Sequence, residues 1–271
     1  MLTGQGSARA LADTASVRRP RAWPQARLLL YPASLLGGLL VWQAAAAPFS
    51  ALVFPSPLAV GQRFVEMLGS GELLAALWAS LGTLLLGFLL AVAAGFPLGI
   101  ALGRFRALST ASEPVINAIY AVPPAALVPF LIIWFGLYQQ SQIALVFIMA
   151  VFEIVITMRA GTRSVETRLT DAARAFGCRG FAVLRKVVLP ATLPFALTAL
   201  RIGFVRALNG MITAQLLLAA TGLGALMKQN MLHFDTAGLL AIVALLSLLG
   251  LAAQEGLKHL EARLLPWHVR A

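Results

Sequence analysis

The sequence predicts an all-α, polytopic membrane protein with about six transmembrane helices, and three observations carry that prediction. Of 271 residues, 60% are hydrophobic and 11% are charged, with a mean hydropathy of +0.86. Soluble domains carry about a quarter charged residues. Apolar runs of roughly 20 residues recur, long enough to cross hydrocarbon as helices that satisfy their own backbone hydrogen bonds. The cations fall very unevenly among the loops that these runs define.

Residues 1–27 hold Arg9, Arg18, Arg19, Arg21 and Arg27 and read as a cytoplasmic tail. The first span covers 28–47. Its basic flank and small residues Ala44 to Ala47 also fit a secretory signal, but its length and the spans that follow favour retention. Pro57 to Gly71, with Leu58, Phe64, Val65 and Leu68, reads as an outer surface helix. The second span, 73–102, meets no charge until Arg104. Within it Pro97 is a candidate kink, and Gly95, Gly99 and Gly103 repeat every four residues, a spacing that lets helices approach closely. The third, 114–137, contains Pro123, Pro124 and Pro129, none of which gives an N–H to a helix, so a bent or broken helix is expected. The polar run Gln139 to Gln142 precedes a fourth span, 143–160, holding Glu153. A basic loop occupies 163–194. The fifth span, 195–220, contains Arg201 and Arg206, and the sixth covers 237–254. Trp134, Tyr138 and Trp267 near span ends read as interfacial anchors.

With both termini in the cytoplasm, all but Arg63 and Lys228 of the 21 Lys and Arg residues lie on or near the inner side. That is the asymmetry expected when cations resist translocation. The net charge of +11 therefore reflects topology and attraction to anionic lipid. No basic face interleaved with aromatics points to nucleic acid. Cys178 is the one cysteine and has no disulfide partner. His233, His259 and His268 lack ligand spacing, so neither a metal nor a cofactor is predicted.

The segment DAARAFGCRGFAVLRKVVLP, residues 171–190, follows the fourth span. Thr170 is placed to cap a short helix beginning at Asp171, and Gly177 is a stop residue. Ala172 and Phe176 share one face, with Arg174 on another. In a second piece Phe181, Leu184 and Val188 recur at i, i+3, i+7, Arg185 and Lys186 point elsewhere, and Pro190 ends it. Two short amphipathic helices joined at a glycine cannot span a membrane but can lie on its inner surface. From charge alone the segment also reads as an ordinary basic loop.

Asp171-Ala172-Ala173, then three residues, Gly177, nine residues, Val187, one residue and Leu189-Pro190 resemble the cytoplasmic EAA motif of permease subunits of binding-protein-dependent ABC importers. Asp171 stands where that family usually has Glu, and Val187 where it often has Ile. Pro55-Ser56-Pro57, Val122-Pro123 with Pro129 and Trp134-Phe135-Gly136, Leu200-Arg201-Ile202 and Gly222-Leu223-Gly224 extend the likeness to the sulfonate, taurine and nitrate branch, over roughly 54–267. The resemblance implies a type I ABC importer permease fold. It also implies that Asp171, Ala172, Ala173, Arg174, Gly177, Leu189 and Pro190 form a coupling helix and its flank, seated in a cytoplasmic ATPase. The implied partners are two ATP-binding subunits, a periplasmic or lipid-anchored substrate-binding protein, a second copy of the chain and membrane lipid. The implied place is the bacterial inner membrane. The chain has no G-x-x-x-x-G-K-[ST] loop, so ATP would bind elsewhere and this subunit would not be an enzyme.

Two positions depart from the family. Glu153 sits where relatives commonly carry a proline, and Gln215 where they often carry Glu. An ionisable group inside a span is costly unless paired or hydrated. Arg206 is at a comparable depth, and two readings stand side by side. In one, Glu153 and Arg206 are a structural pair. In the other, Glu153, Arg206, Asn209 and Gln215 line a translocation path in which Arg206 meets an anionic solute. A secondary transporter or channel driven by an ion gradient through Glu153 is the alternative function, though no repeat relates the two halves.

Overall fold

In a computed structural model, residues 24–50, 52–137, 139–218 and 221–265 are described, with side chains from residue 30 onward. The tail before residue 24, the anchors Tyr138 and Trp267, and residues 219–220 of the fifth predicted span lie outside them. Every element is helical: α1 (Pro24–Ala46), α2 (Pro57–Gly69), α3 (Glu72–Arg104), α4 (Arg106–Tyr120), α5 (Pro124–Phe135), α6 (Gln139–Arg163), α7 (Thr167–Ala175), α8 (Phe181–Leu218), α9 (Gly222–Leu232) and α10 (Thr236–Leu264). The chain divides into two units, Met1–Ser50, which holds α1, and Ala51–Ala271, which holds the rest.

Four helices, α3, α6, α8 and α10, are long and apolar enough to cross a membrane, and α4 with α5 makes a fifth candidate bent by 93°. The described apolar part of α1, Leu30–Ala46, is shorter. The 33 residues of α3 extend about 50 Å at 1.5 Å per residue, well beyond a hydrocarbon core of about 30 Å. Ser56 caps α2, its side chain accepting from the Ala59 N–H at 3.3 Å, with Pro57 at the first helical position.

The core is a three-helix layer in which α6 lies between α3 and α8. Close approach on the α3 side depends on Gly87, Gly95, Gly99 and Gly103. A Cβ at each would stand 2.4–2.7 Å from Val146, Ile154, Met158 or Thr162 of α6, closer than two carbons can pack. Gly203 of α8 does the same from the other side, where a Cβ would meet Ile154 at 2.8 Å. Ile154 is fully buried between the two glycines. This is helix association by van der Waals packing of small residues against large ones, the mode available where water supplies no hydrophobic drive. Phe88 and Phe204 close the layer edge to face, with centroids 5.5 Å apart. Facing outward are Leu85, Leu86, Leu89 and Leu98 of α3 and Val243, Leu248 and Leu251 of α10, all exposed.

Sequence and structure differ at three places in the loop after α6. The helix over the EAA-like segment begins at Thr167, one turn before Asp171. Thr170 is therefore not its cap; its hydroxyl donates back to the Thr167 carbonyl at 2.8 Å. Pro190 does not end the second piece, because α8 runs through it to Leu218. Leu184–Val188 forms a π-turn immediately before Pro190, with the Leu189 N–H reaching the Leu184 carbonyl. The widened turn makes room for a ring that would collide with the carbonyl four residues back in a regular helix. The same turn shifts the inward face. Val183 and Val188, five residues apart, are each 3% exposed while Phe181 is 71% exposed, so Phe181, Leu184 and Val188 do not form the buried stripe.

Candidate functional site

Two groups of the predicted residues come together in space. The first is the loop helix α7. None of its nine residues is buried, and Asp171, Ala172, Arg174, Gly177, Leu189 and Pro190 are exposed, with Ala173 half-buried. Gly177 terminates it at φ +83°, a left-handed conformation that costs glycine least. The Cys178 N–H then donates to the Ala173 carbonyl and the Gly177 N–H to the Arg174 carbonyl, both at 2.9 Å. That paired closure satisfies two of the orphan carbonyls at the helix end. Arg174 and Asp171 pair across the helix surface at 3.0 Å. Phe176 is 88% exposed just before the stop. The result is a rigidly ended helix carrying an unburied aromatic, a shape suited to filling a groove in another protein.

The second group sits where α4 and α5 bend. The break at Ala121–Pro123 turns the chain over α6 and α8 and encloses a cavity of about 190 Å³. Glu153 and Arg206 face it. The Arg206 Nε–H donates to Glu153 Oε1 at 2.7 Å, and the Tyr120 hydroxyl donates to the same oxygen at 2.9 Å. The Glu153 side chain is 12% exposed and that of Arg206 45%. A carboxylate inside an apolar layer needs such partners, since leaving it unpaired there costs several kcal/mol by order of magnitude. The remaining walls are apolar, with Ile119, Leu127, Ile148 and Phe152 among them.

The predicted path residues do not all share this place. Asn209 is exposed one turn beyond Arg206 on α8. Gln215 is 1% exposed and belongs to a different junction. Its Oε1 accepts from the Ser80 hydroxyl at 2.9 Å and the Gly224 N–H at 3.1 Å, while Ser80 accepts from the Leu223 N–H at 2.8 Å. Ser80 and Gln215 thus satisfy two first-turn N–H groups of α9 deep inside the protein, where water does not reach them. A Cβ on Gly224 would lie 2.4 Å from the Gln215 side chain, which is why glycine follows Leu223.

Sequence reasoning missed Tyr120, whose hydroxyl completes the Glu153 cluster, and the ladder that holds α4 to α6. Arg159 pairs with Glu113 at 2.6 Å and the Arg163 guanidinium donates to Ser109 at 2.8 Å, in antiparallel register with Tyr120 and Glu153. The signal was available in the spacing: Ser109, Glu113, Ile116 and Tyr120 recur at i, i+4, i+7, i+11 on one face of a helix. Among the described residues no cluster of three His, Cys, Asp or Glu side chains could hold a metal ion.

Comparison with known proteins places this architecture. The family described as "Binding-protein-dependent transport system inner membrane component" matches residues 95–266. A probable ABC transporter permease protein of Brucella abortus is 32% identical over 221 residues, covering 82% of this chain and 88% of the relative. The taurine transport system permease protein TauC of Escherichia coli is 33% identical over 254 residues, covering 91% and 92%. In fold, the chain is similar to one in an inward-facing structure of the MetNI methionine ABC transporter, with a TM-score of 0.63 at 21% identity, over 71% of this chain and 95% of that one. The chain belongs to the inner membrane component family of binding-protein-dependent ABC importers and is a multi-pass membrane protein with their permease fold.

Proposed function

We propose that this ABC importer permease forms the translocation path for a small anionic solute of the sulfonate, taurine or nitrate kind and couples it to ATP hydrolysis by a separate subunit. The observation that carries the reading is α7: a helix with no buried residue, a fixed glycine end and an 88% exposed Phe176 at its tip. Among the described residues no other element buries that surface, and loop helices of this kind are what an ATPase groove would grip. Two ATP-binding subunits dock on the α7 side, a second copy of the chain completes the path, and a substrate-binding protein delivers solute from outside. Both termini then lie in the cytoplasm, in keeping with the distribution of Arg and Lys.

The solute class is supported by the likeness to a taurine permease and by Arg206, a half-exposed cation at the cavity wall. ATP-driven closure of the ATPases moves α7, and the helices reorganise around the path, a two-state change biased by contacts that differ between the states. Co-reconstitution with the ATPase and binding protein in proteoliposomes tests the reading. Uptake of a radiolabelled sulfonate should require ATP on the α7 side, and Cys178 should form a disulfide with a cysteine introduced into the ATPase groove. Uptake that persists without the ATPase would overturn it in favour of a gradient-driven carrier.

A further inference from the structure

We propose that a basic pocket at the inner end of the helix bundle binds the headgroup of an anionic phospholipid and ties the α7 loop to the bundle. The cavity, about 540 Å³, lies between the ends of α3, α4 and α6, the helix α7 and the π-turn of α8. Arg104, Arg106, Arg163 and Arg174 line it together with Thr167 and Thr170, and no carboxylate is among its walls.

The gathering of unpaired arginines around one cavity carries the inference. Arg63, Arg159, Arg201 and Arg206 each pair with a carboxylate within the chain. Among the described residues Arg104, Arg106 and Arg163 have no acidic partner, although Arg163 donates to Ser109. Three guanidinium groups lining one cavity without a carboxylate of their own repel one another, Arg174 beside them being already paired with Asp171, and a phosphate oxyanion accepting several of their N–H bonds removes that repulsion.

The position selects a lipid over a free anion. Arg104 and Arg163 are the last residues of two membrane-crossing candidates, so the pocket lies at the end of the spans, within reach of the headgroup layer. Phe105, between Arg104 and Arg106, is 61% exposed, and Leu108 is 47% exposed. A cationic cleft with apolar side chains beside it matches a charged headgroup with acyl chains attached, and basic pockets between helices on this side of a membrane are suited to such headgroups. Because Thr167, Thr170 and Arg174 belong to α7, an occupied pocket clamps that helix against the bundle. The inner-side placement and this effect on coupling rest on the proposed function; the binding itself does not.

The test uses the purified full-length chain in detergent micelles with a fluorescent phosphatidylglycerol, competed by unlabelled phosphatidylglycerol or phosphatidylcholine. Phosphatidylglycerol should compete far better. Arg104→Gln and Arg106→Gln, both at exposed positions that folding tolerates, should each weaken that preference about fivefold, and the double variant about 30-fold. Arg104→Lys with Arg106→Lys should retain most of it, and Arg185→Gln, outside the pocket, should leave it unchanged. Absence of any preference in the unmodified chain, or an equal loss in Arg185→Gln, would overturn the proposal by making the attraction diffuse. Displacement of the probe by millimolar glycerol 3-phosphate would overturn it too, by assigning the pocket to a free oxyanion. Solute uptake by the reconstituted importer, measured separately, reports on the transport reading alone.

Discussion

Arg206 and Glu153, 53 residues apart in the chain and on different helices, meet at 2.7 Å across a cavity wall, with the Tyr120 hydroxyl closing the cluster on the same oxygen. Each group makes the other tolerable inside an apolar layer. Removing one partner leaves an uncompensated charge, whereas removing both does not.

If the pair serves the path, Glu153→Gln and Arg206→Gln should each lower ATP-driven uptake about tenfold or more while the chain remains in the membrane, the scale of one lost charge-assisted hydrogen bond. Uptake at the unmodified rate in both variants would leave the pair a purely structural one. Tyr120→Phe, which removes one donor, should have a smaller effect in the same assay.

Gln215→Leu should act on stability instead. It strands the Ser80 hydroxyl and the Gly224 N–H, both buried, at a cost of about 1–3 kcal/mol for an unsatisfied group. A lowered melting temperature in detergent with solute preference unchanged is the expected result. A change of preference at unchanged stability would return Gln215 to the path.

Gly99→Val places a side chain where even a Cβ would lie 2.5 Å from Met158. Overpacking of this kind costs about 1–3 kcal/mol or more. The variant should melt earlier, and disulfide trapping between engineered cysteines at the facing ends of α3 and α6 should slow. Gly250→Val, in open space on α10, is the control and should change little.

Gly177→Ala forces a non-glycine residue to φ +83°, a cost of roughly 1–2 kcal/mol confined to the end of an exposed helix. The chain should fold and bind lipid normally. Crosslinking of Cys178 to the ATPase, and ATP-driven uptake, should fall together. Uptake that fell with crosslinking intact would place the fault elsewhere.

Asp235 accepts from Arg63 Nε at 2.6 Å and caps α10 by accepting from the Gly238 N–H at 2.8 Å. The hydrogen bond that Arg63 donates to Asp235, and then the carboxylate's charge, raise the Arg63 pKa above its ordinary value, against the opposing effect of burial. Arg63 therefore stays protonated throughout the working range, and its titration lends no pH dependence to the contact. Asp235→Ala loses both the cap, about 1 kcal/mol, and the tether of α2. Faster amide exchange over residues 57–69 is the measurement that detects it.

Much of this protein was fixed by composition and spacing. Hydrocarbon leaves a backbone no water to bond with, so apolar runs of this length read directly as helices, and Pro123-Pro124 marks a break because neither residue offers an N–H. The glycine stop at Gly177 and the close-packing glycines of α3 are local steric facts visible in the residues themselves. Tertiary structure decided the rest. Pro190 continues a helix because a π-turn precedes it, and Gln215 became a buried cap because α9 starts beside it. Tyr120 joined Glu153 because a 93° bend swings it over α6. Each depends on which distant groups share a small volume, and periodicity along one chain carries no information about that until the helices are packed.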